Sequence, residues 1–516
     1  MDKIIILDFG GQYCHLIARR IRDFGVFAEV KPFDISANEI KKDKSIKGII
    51  LSGGAKSVYD KNAPKCKRRI FHLNIPILGI CYGHQLIARL LGGKVVSGET
   101  GEYGFTNFHL GANILSGKSP PNFLFKRLKQ RQKVWMNHKD VVVSLPRGFQ
   151  IIGDTPSSKI AAFHNIKSKI FGVQFHPEAS HTINGKTILK NFVSDICGCK
   201  PYWTSKCLSD IIIQETKNII GDKKAIIGLS GGIDSSTAAL IASKAIGKNL
   251  TAVYIDTGFM RNNETELMKK TFKDRGLNLK IIKAKKDFFT ALKGVSHPEK
   301  KRKIIGKLFV GLFYKVAKSK KAEFLIQGTI YSDRIESGFT RNSSNIKSHH
   351  NVGGLPKNIK LKIYEPLRNL YKDEVRKLAK FIGVSYETAN QQVFPGPGLA
   401  IRIVGEIIPK KVGIVRKAGS IIEDELKNLP IYPKIWMSFP VLLPIKSVGI
   451  QGDERSYKFP IVVRIIESKD AMTANFSKVS YETLERISTR ITNEIIDVNR
   501  VVYDITNKPP GTMEWE

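Results

Sequence analysis

The chain has 516 residues, with 84 Lys+Arg against 46 Asp+Glu, a formal net charge of +38 and 42% hydrophobic residues. At roughly 150 residues per domain this suggests about three domains, each able to bury its own core, and it excludes a mainly disordered chain or a polytopic membrane protein. Six cysteines are too few for a disulfide framework, so a reducing, cytoplasmic setting is expected.

The first apolar run, Lys3–Phe9, is very short and has acids close by at Asp2 and Asp8, so it reads as a buried strand and not a signal peptide. Gly48–Leu51, Ile75–Ile80, Lys159–Phe163 and Ile170–Phe175 are further continuous apolar runs, like strands covered on both faces of an α/β sheet. Gln85–Leu91 has helical spacing. Between 196 and 209 the periodicity stops, which predicts a linker. A second α/β rhythm runs through Ala225–Leu229, Leu250–Ile255, Leu279–Ile282 and Phe324–Ile326, with a helix expected over Thr237–Ile246. It breaks near Phe394-Pro395-Gly396-Pro397-Gly398, and alternating runs at Pro460–Ile466 and Arg500–Ile505 follow.

The expected fold class is α/β: two consecutive open, mostly parallel sheets (1–195 and 210–393), joined by the linker 196–209, then a smaller α+β domain (394–516). No window approaches the ~18–20 apolar residues of a spanning helix, so no membrane partner is expected. The basic residues are scattered over Lys41–Lys44, Lys65–Arg69, Lys126–Lys133, Lys300–Lys303 and Lys318–Lys321. No aromatic residues interleave them, so they read as a solvated surface and no nucleic-acid partner is expected.

Pro76-Ile77-Leu78-Gly79-Ile80-Cys81-Tyr82-Gly83-His84 is strand, sharp turn and helix, with glycines two residues either side of Cys81. This is the nucleophile-elbow pattern with a thiol at a helix N-terminus, where thiolate is favoured. After another strand comes Phe175-His176-Pro177-Glu178. In extended backbone His176 and Glu178 face the same way, so the carboxylate can orient an imidazole that takes the thiol proton. The N–H groups of Gly53, Gly54 and Tyr82 can face the developing oxyanion. Cys81, His176 and Glu178 are thus the expected catalytic residues of an acyl transfer. They resemble the triad of class I glutamine amidotransferases, which implies glutamine hydrolysis through a γ-glutamyl thioester with release of ammonia. The Ser-Gly-Gly-Pro segment of that family is here Ser52-Gly53-Gly54-Ala55.

A second motif follows the strand at 225–229: Ser230-Gly231-Gly232-Ile233-Asp234-Ser235-Ser236. A glycine turn at a helix N-terminus binds anions through backbone N–H groups. The hydroxyls of Ser230, Ser235 and Ser236 add donors, and Asp234 can meet a Mg²⁺ ion bridging phosphates. The Lys of a Walker loop is absent. The motif resembles the PP-loop ATP pyrophosphatases, which cleave ATP between its α and β phosphates. One site then makes a nucleophile and the other a leaving group.

Over essentially its whole length the chain resembles the glutamine-hydrolysing GMP synthases. Gly328–Ser337, Ile346–Pro356, Phe394–Gly398 and the terminal Lys508-Pro509-Pro510-Gly511-Thr512-Met513-Glu514-Trp515-Glu516 carry the resemblance. It implies amination of XMP to GMP through an adenyl-XMP intermediate, with glutamine, ATP and Mg²⁺ consumed or required, and a homodimer formed through the C-terminal domain. By position it implies that Arg302, Lys508, Met513 and Glu514 contact XMP. It also implies that Asp333, Glu336, Lys347, His349 and His350 serve adenylation and a lid. Where the family has Trp-Gln-Ala-Phe the chain has Trp436-Met437-Ser438-Phe439, which removes an amide donor. Asn137-His138-Lys139-Asp140 likewise varies a Ser-His-Gly-Asp-like segment. Cys197, Cys199 and Cys207 lack a fourth ligand, so no zinc is expected.

Overall fold

Runs rich in Ile, Leu and Val become strands because a pleated sheet covered on both faces removes both rows of side chains from water. Ile4, Ile5, Ile6 and Leu7 are completely buried, as are Ile49, Ile50 and Leu51. The computed structural model describes residues 2–111, 123–273, 276–336, 361–385, 392–468 and 473–516. They form two units, Met1–Cys207 and Leu208–Glu516.

The strands of the first unit are β1 (Lys3–Asp8), β2 (Phe27–Pro32), β3 (Ile46–Leu51), β4 (Ile77–Ile80), β5 (Lys94–Leu110), β6 (Arg131–Ser144), β7 (Gln150–Asp154), β8 (Ala162–Asn165) and β9 (Ile170–Val173). They form one sheet in the order β2-β1-β3-β4-β9-β8-β7-β5-β6. From β2 to β9 every pair is parallel, and from β9 to β6 every pair is antiparallel. The sheet is therefore mixed, and its parallel half carries the elbow. Because β3, β4 and β9 are parallel neighbours, the residues after each come out at the same edge of the sheet. The long pair β5–β6 has no counterpart in the sequence reading. Gly98, Gly101 and Gly104 interrupt its alternation, and its register shifts between Ser97 and Glu102.

In the second unit β10 (Ala225–Leu229), β11 (Leu250–Asp256), β12 (Leu279–Lys283), β13 (Phe324–Ile326) and β14 (Lys362–Tyr364) form a wholly parallel sheet, order β12-β11-β10-β13-β14. The chain winds outward from β10 on one side, then returns to its other side at β13. The loop after β10 thus lies at a topological switch point, where α/β sheets open a crevice for ligands. The third sheet joins β15 (Ile435–Leu442), β16 (Ser447–Gln451), β17 (Glu454–Glu467), β18 (Asn475–Phe476) and β19 (Val498–Tyr503), with β17 central. One buried cluster contains Ile226 and Val253 of the parallel sheet together with Val415, Ile461 and Ile487, so the core runs unbroken across residue 394.

Two helices start earlier than periodicity suggests. One spans Ser205–Ile220, so the irregular connection ends at Thr204, whose hydroxyl accepts the Cys207 N–H at 3.4 Å. The other spans Ile233–Ile246. Among the described residues no helix is long and apolar enough to cross a membrane.

Candidate active sites

The whole reversal between β4 and the helix Tyr82–Leu90 falls on Cys81, whose φ is +51°. Only close backbone approach allows so tight a turn. A Cβ on Gly79 would lie 2.6 Å from the Gly83 carbonyl carbon, and one on Gly83 would lie 2.4 Å from the Leu51 oxygen. The Cys81 N–H donates to the Val173 C=O at 2.9 Å, which ties the elbow to β9. The thiol is buried, 3.7 Å from the Asn137 C=O and 3.8 Å from Gln174 Nε2.

His176 and Glu178 meet by a different route from the extended one expected. β9 stops at Val173, and 176–179 is a turn closed by the Ala179 N–H on the His176 C=O at 3.3 Å. Proline suits the second position of such a turn. His176 Nδ1 lies 2.7 Å from Glu178 Oε1, and both side chains are buried. Thr182 Oγ1 donates to the His176 C=O at 2.7 Å, and Arg20 Nε to the Glu178 C=O at 3.3 Å.

With Nδ1 on the carboxylate, Nε2 is the nitrogen left for chemistry. It is buried, bonds to none of the described residues, and the imidazole interacts electrostatically with the Cys81 thiol. Burial pulls the His176 pKa down, but the Glu178 carboxylate and Cys81 raise it more, leaving it well above the ordinary histidine value. His84, only three residues from the thiol, is the opposite case. Burial under Phe163 pushes it down to about 3, so it stays neutral and packs as a core residue.

Gly53 fits between the two reacting groups: a Cβ there would stand 3.0 Å from His176 Cε1 and 3.8 Å from Cys81 Cβ. Ser52 Oγ accepts the Phe9 N–H at 3.0 Å and donates to the Gly53 C=O at 2.9 Å, while the Gly83 N–H takes the Ser52 C=O at 3.2 Å. These bonds pin the segment in which Ala55 stands for proline. Among the described residues the N–H groups of Gly53, Gly54 and Tyr82 have no partner. They are suited to stabilising an oxyanion.

In the second unit the loop is only Ser230-Gly231-Gly232, and Ile233, Asp234, Ser235 and Ser236 form the first helical turn. Gly231 has φ +81°, and a Cβ there would lie 2.4 Å from Glu264 Oε1. The loop is stitched by its own hydroxyls. Ser230 Oγ is 3.1 Å from Ser235 Oγ and accepts the Gly232 N–H at 3.3 Å, and Ser235 Oγ accepts the Ser230 N–H at 3.3 Å. Ser236 is completely buried, and its Oγ has no partner among the described residues. Asp234 Oδ2 accepts from Lys372 Nζ at 2.6 Å, whereas its Oδ1 is buried without a partner among the described residues. Asp333 Oδ2 accepts the Ile330 N–H at 3.0 Å at the start of the helix Tyr331–Glu336, and Glu336 closes that helix. Lys347, His349 and His350 lie outside the described residues.

The terminal segment brings some of the expected nucleotide contacts together. Arg302, on the helix Pro298–Ser319, donates to the Glu516 C=O, and its neighbour Lys301 reaches Glu516 Oε2 at 2.6 Å. Glu514 is paired with Arg402, and Lys508 is fixed through backbone bonds to Ala474 at 2.7 and 3.1 Å. Met437 is buried among Phe439, Val462 and Ile466, with Met513 packed against the cluster. Beside it Gln392 Oε1 accepts from the Ser438 N–H and Oγ at 2.8 and 2.9 Å, and Gln392 Nε2 is a buried amide donor with no partner among the described residues.

Lys372, Gln174, Arg402 and Gln392 escaped the sequence reading. Gln174 had the one usable signal, because it precedes His176 by two residues in the same strand-end segment.

The glutamine amidotransferase class-I family matches residues 5–196, the NAD synthase family residues 206–339 and the GMP synthase C terminal domain family residues 424–515. The chain is 49% identical over 517 residues to a GMP synthase (glutamine-hydrolyzing) of Caldanaerobacter subterraneus subsp. tengcongensis, covering 100% of this chain and 99% of the relative. It is 48% identical over 519 residues to that of Petrotoga mobilis, covering 100% of both chains, and 47% identical over 517 residues to that of Clostridium botulinum strain Kyoto, covering 100% and 99%.

Proposed function

This chain belongs to the glutamine-hydrolysing GMP synthases, and from that premise we propose how its two units divide the work. The protein makes GMP from XMP, with nitrogen from glutamine and energy from ATP. In the first unit Cys81 Sγ attacks the glutamine γ-carbonyl while His176 Nε2 takes the thiol proton. Gly53, Gly54 and Tyr82 N–H groups hold the oxyanion, and His176 returns the proton to the departing ammonia. Water then attacks the thioester, releases glutamate and restores the thiol.

In the second unit the XMP oxygen attacks the α-phosphorus of ATP, forming adenyl-XMP and releasing pyrophosphate into the Ser230–Ser235 turn. Ammonia displaces AMP, because a phosphoryl-capped oxygen leaves where a bare one does not. Asp333 and Glu336, with the lid positions 347, 349 and 350, serve this adenylation. Arg302 and Lys508 suit the nucleotide phosphate, and Glu514 suits the N–H donors of the purine.

The orphaned, buried Asp234 Oδ1 fits a Mg²⁺ ion arriving with the nucleotide. Among the described residues no group of three or more His, Cys, Asp and Glu could hold a metal, so phosphates would complete its coordination. Such an ion neutralises phosphate charge. A homodimer through the C-terminal domain is supported by the exposed Val448, Ile450 and Tyr457 on β16 and β17. All six cysteines are free, in keeping with a reducing, cytoplasmic site of action.

The observation that carries this reading is the thiol, the carboxylate-held imidazole and the PP-loop turn standing in one chain. Its test compares wild type and Cys81→Ala with XMP, ATP, Mg²⁺ and either glutamine or ammonium. Wild type should yield GMP, AMP and pyrophosphate from both nitrogen sources. Cys81→Ala should lose glutamine-driven synthesis by a factor of about 10³ or more and keep ammonium-driven synthesis. Loss of both would overturn the division of labour.

A further inference from the structure

Arg402 ends the short turn Gly398–Arg402 that follows Phe394-Pro395-Gly396-Pro397. Its Nη2 and Nε meet Glu514 Oε1 and Oε2 at 3.0 and 3.2 Å, one bond to each carboxylate oxygen. The pair is withdrawn from water, with 5% of the arginine side chain and 13% of the glutamate side chain exposed. The guanidinium also lies over two rings, 5.1 Å from the Phe394 centroid and 4.3 Å from that of the completely buried Phe439. Arg261 stands over Phe394 as well, at 4.4 Å. Ring faces thus set the guanidinium plane, and two parallel bonds pass that plane on to the carboxylate.

The backbone of the tail does not depend on this pair. Arg464 donates to the Thr512 and Met513 carbonyls at 2.6 and 3.4 Å, and Lys301 holds Glu516 at 2.6 Å. The segment is therefore tied on both sides of residue 514 by other groups. What Arg402 adds is the direction of one carboxylate. A carboxylate has about four lone-pair sites, so two remain for a ligand after the bidentate pair forms.

We propose that Arg402 is a positioning residue for purine recognition: it fixes the plane of the Glu514 carboxylate, so that the two free lone pairs are aimed at the N–H donors of the purine. The proposal rests on the reading of Glu514 as the group that meets XMP, and Arg402 acts only through it.

The test measures ammonium-driven GMP formation by the full chain, with KM for XMP, KM for ATP and kcat read separately. Arg402→Lys keeps the charge but loses the fork and the ring stacking. It should raise KM for XMP roughly tenfold or more, leave KM for ATP within about twofold and change kcat less than KM. Glu514→Gln should raise KM for XMP by a similar factor, and the double variant should be no worse than Glu514→Gln alone. Should Arg402→Lys not accumulate as folded protein, Phe394→Leu removes one ring face and should shift KM for XMP the same way by a smaller factor.

An unchanged KM for XMP in Arg402→Lys beside a raised one in Glu514→Gln overturns the positioning role alone. So does a double variant whose defects multiply, or an unchanged KM for XMP in Phe394→Leu where that variant stands in. An unchanged KM in Glu514→Gln overturns the reading of Glu514 and the proposal with it.

Discussion

Cys81 sits on a backbone its side chain resists, with φ +51°, and the strain of such a conformation is roughly 1–3 kcal/mol. Glycine adopts positive φ freely, so Cys81→Gly should be more stable than Cys81→Ala by about 1 kcal/mol, read from urea unfolding midpoints. Equal midpoints would mean that the elbow holds no strain. At His176 burial works against the imidazolium, while Glu178 and Cys81 work for it and win. The folded pKa therefore lies above the unfolded value of about 6.5. The stability gained from this pairing is complete below that value and is lost as pH rises through the folded pKa. Glu178→Gln removes the carboxylate's attraction and leaves burial opposed by Cys81 alone, so the imidazole should titrate at lower pH. NMR of the ring protons checks this, and an unmoved titration would show that Glu178 does not govern His176. The sequence supplied both partners here but the wrong geometry: a turn around Pro177, rather than extended backbone, brings the carboxylate to the ring.

Among the elements, parallel strand pairing does most to assemble the sites. β3, β4 and β9 lie side by side, so three segments distant in sequence finish at one edge of the sheet. In the second unit the start of the helix Ile233–Ile246 puts Asp234 in its first turn, where N–H groups and the helix dipole favour anions. The helix start was not legible, because Asp, Ser and Ser at its beginning are also typical loop residues. Asp234 is held at 2.6 Å by Lys372, at the N-terminus of the helix Lys372–Ile382, and only one carboxylate oxygen is so engaged. Asp234→Ala should lower pyrophosphate release from ATP by about 10²-fold or more with either nitrogen source, while glutamine hydrolysis by the first unit persists. Pyrophosphate release at the wild-type rate would contradict the part given to Asp234.

For the whole molecule, the third sheet leaves Val448 55%, Ile450 75% and Tyr457 64% exposed, a grouping of apolar side chains on paired strands. The homodimer proposed above predicts that Ile450→Glu sediments as monomer where wild type sediments as dimer, since an unpaired carboxylate in a buried interface is strongly unfavourable. An unchanged dimer would move the interface elsewhere. By itself the sequence determined what depends on a few neighbouring residues. Glycines on both sides of Cys81, the turn after β10, the strand cores and the terminal Lys-Pro-Pro segment all express backbone sterics or local pattern, and these act over a handful of positions. Only the tertiary structure decided which distant groups meet. Lys372 reaches Asp234 across 138 positions and Arg402 reaches Glu514 across 112, while Met437 turns into an apolar cluster that no local pattern announces. Such contacts are set by how sheets and helices pack, and packing is a property of the whole core that no short stretch of sequence contains.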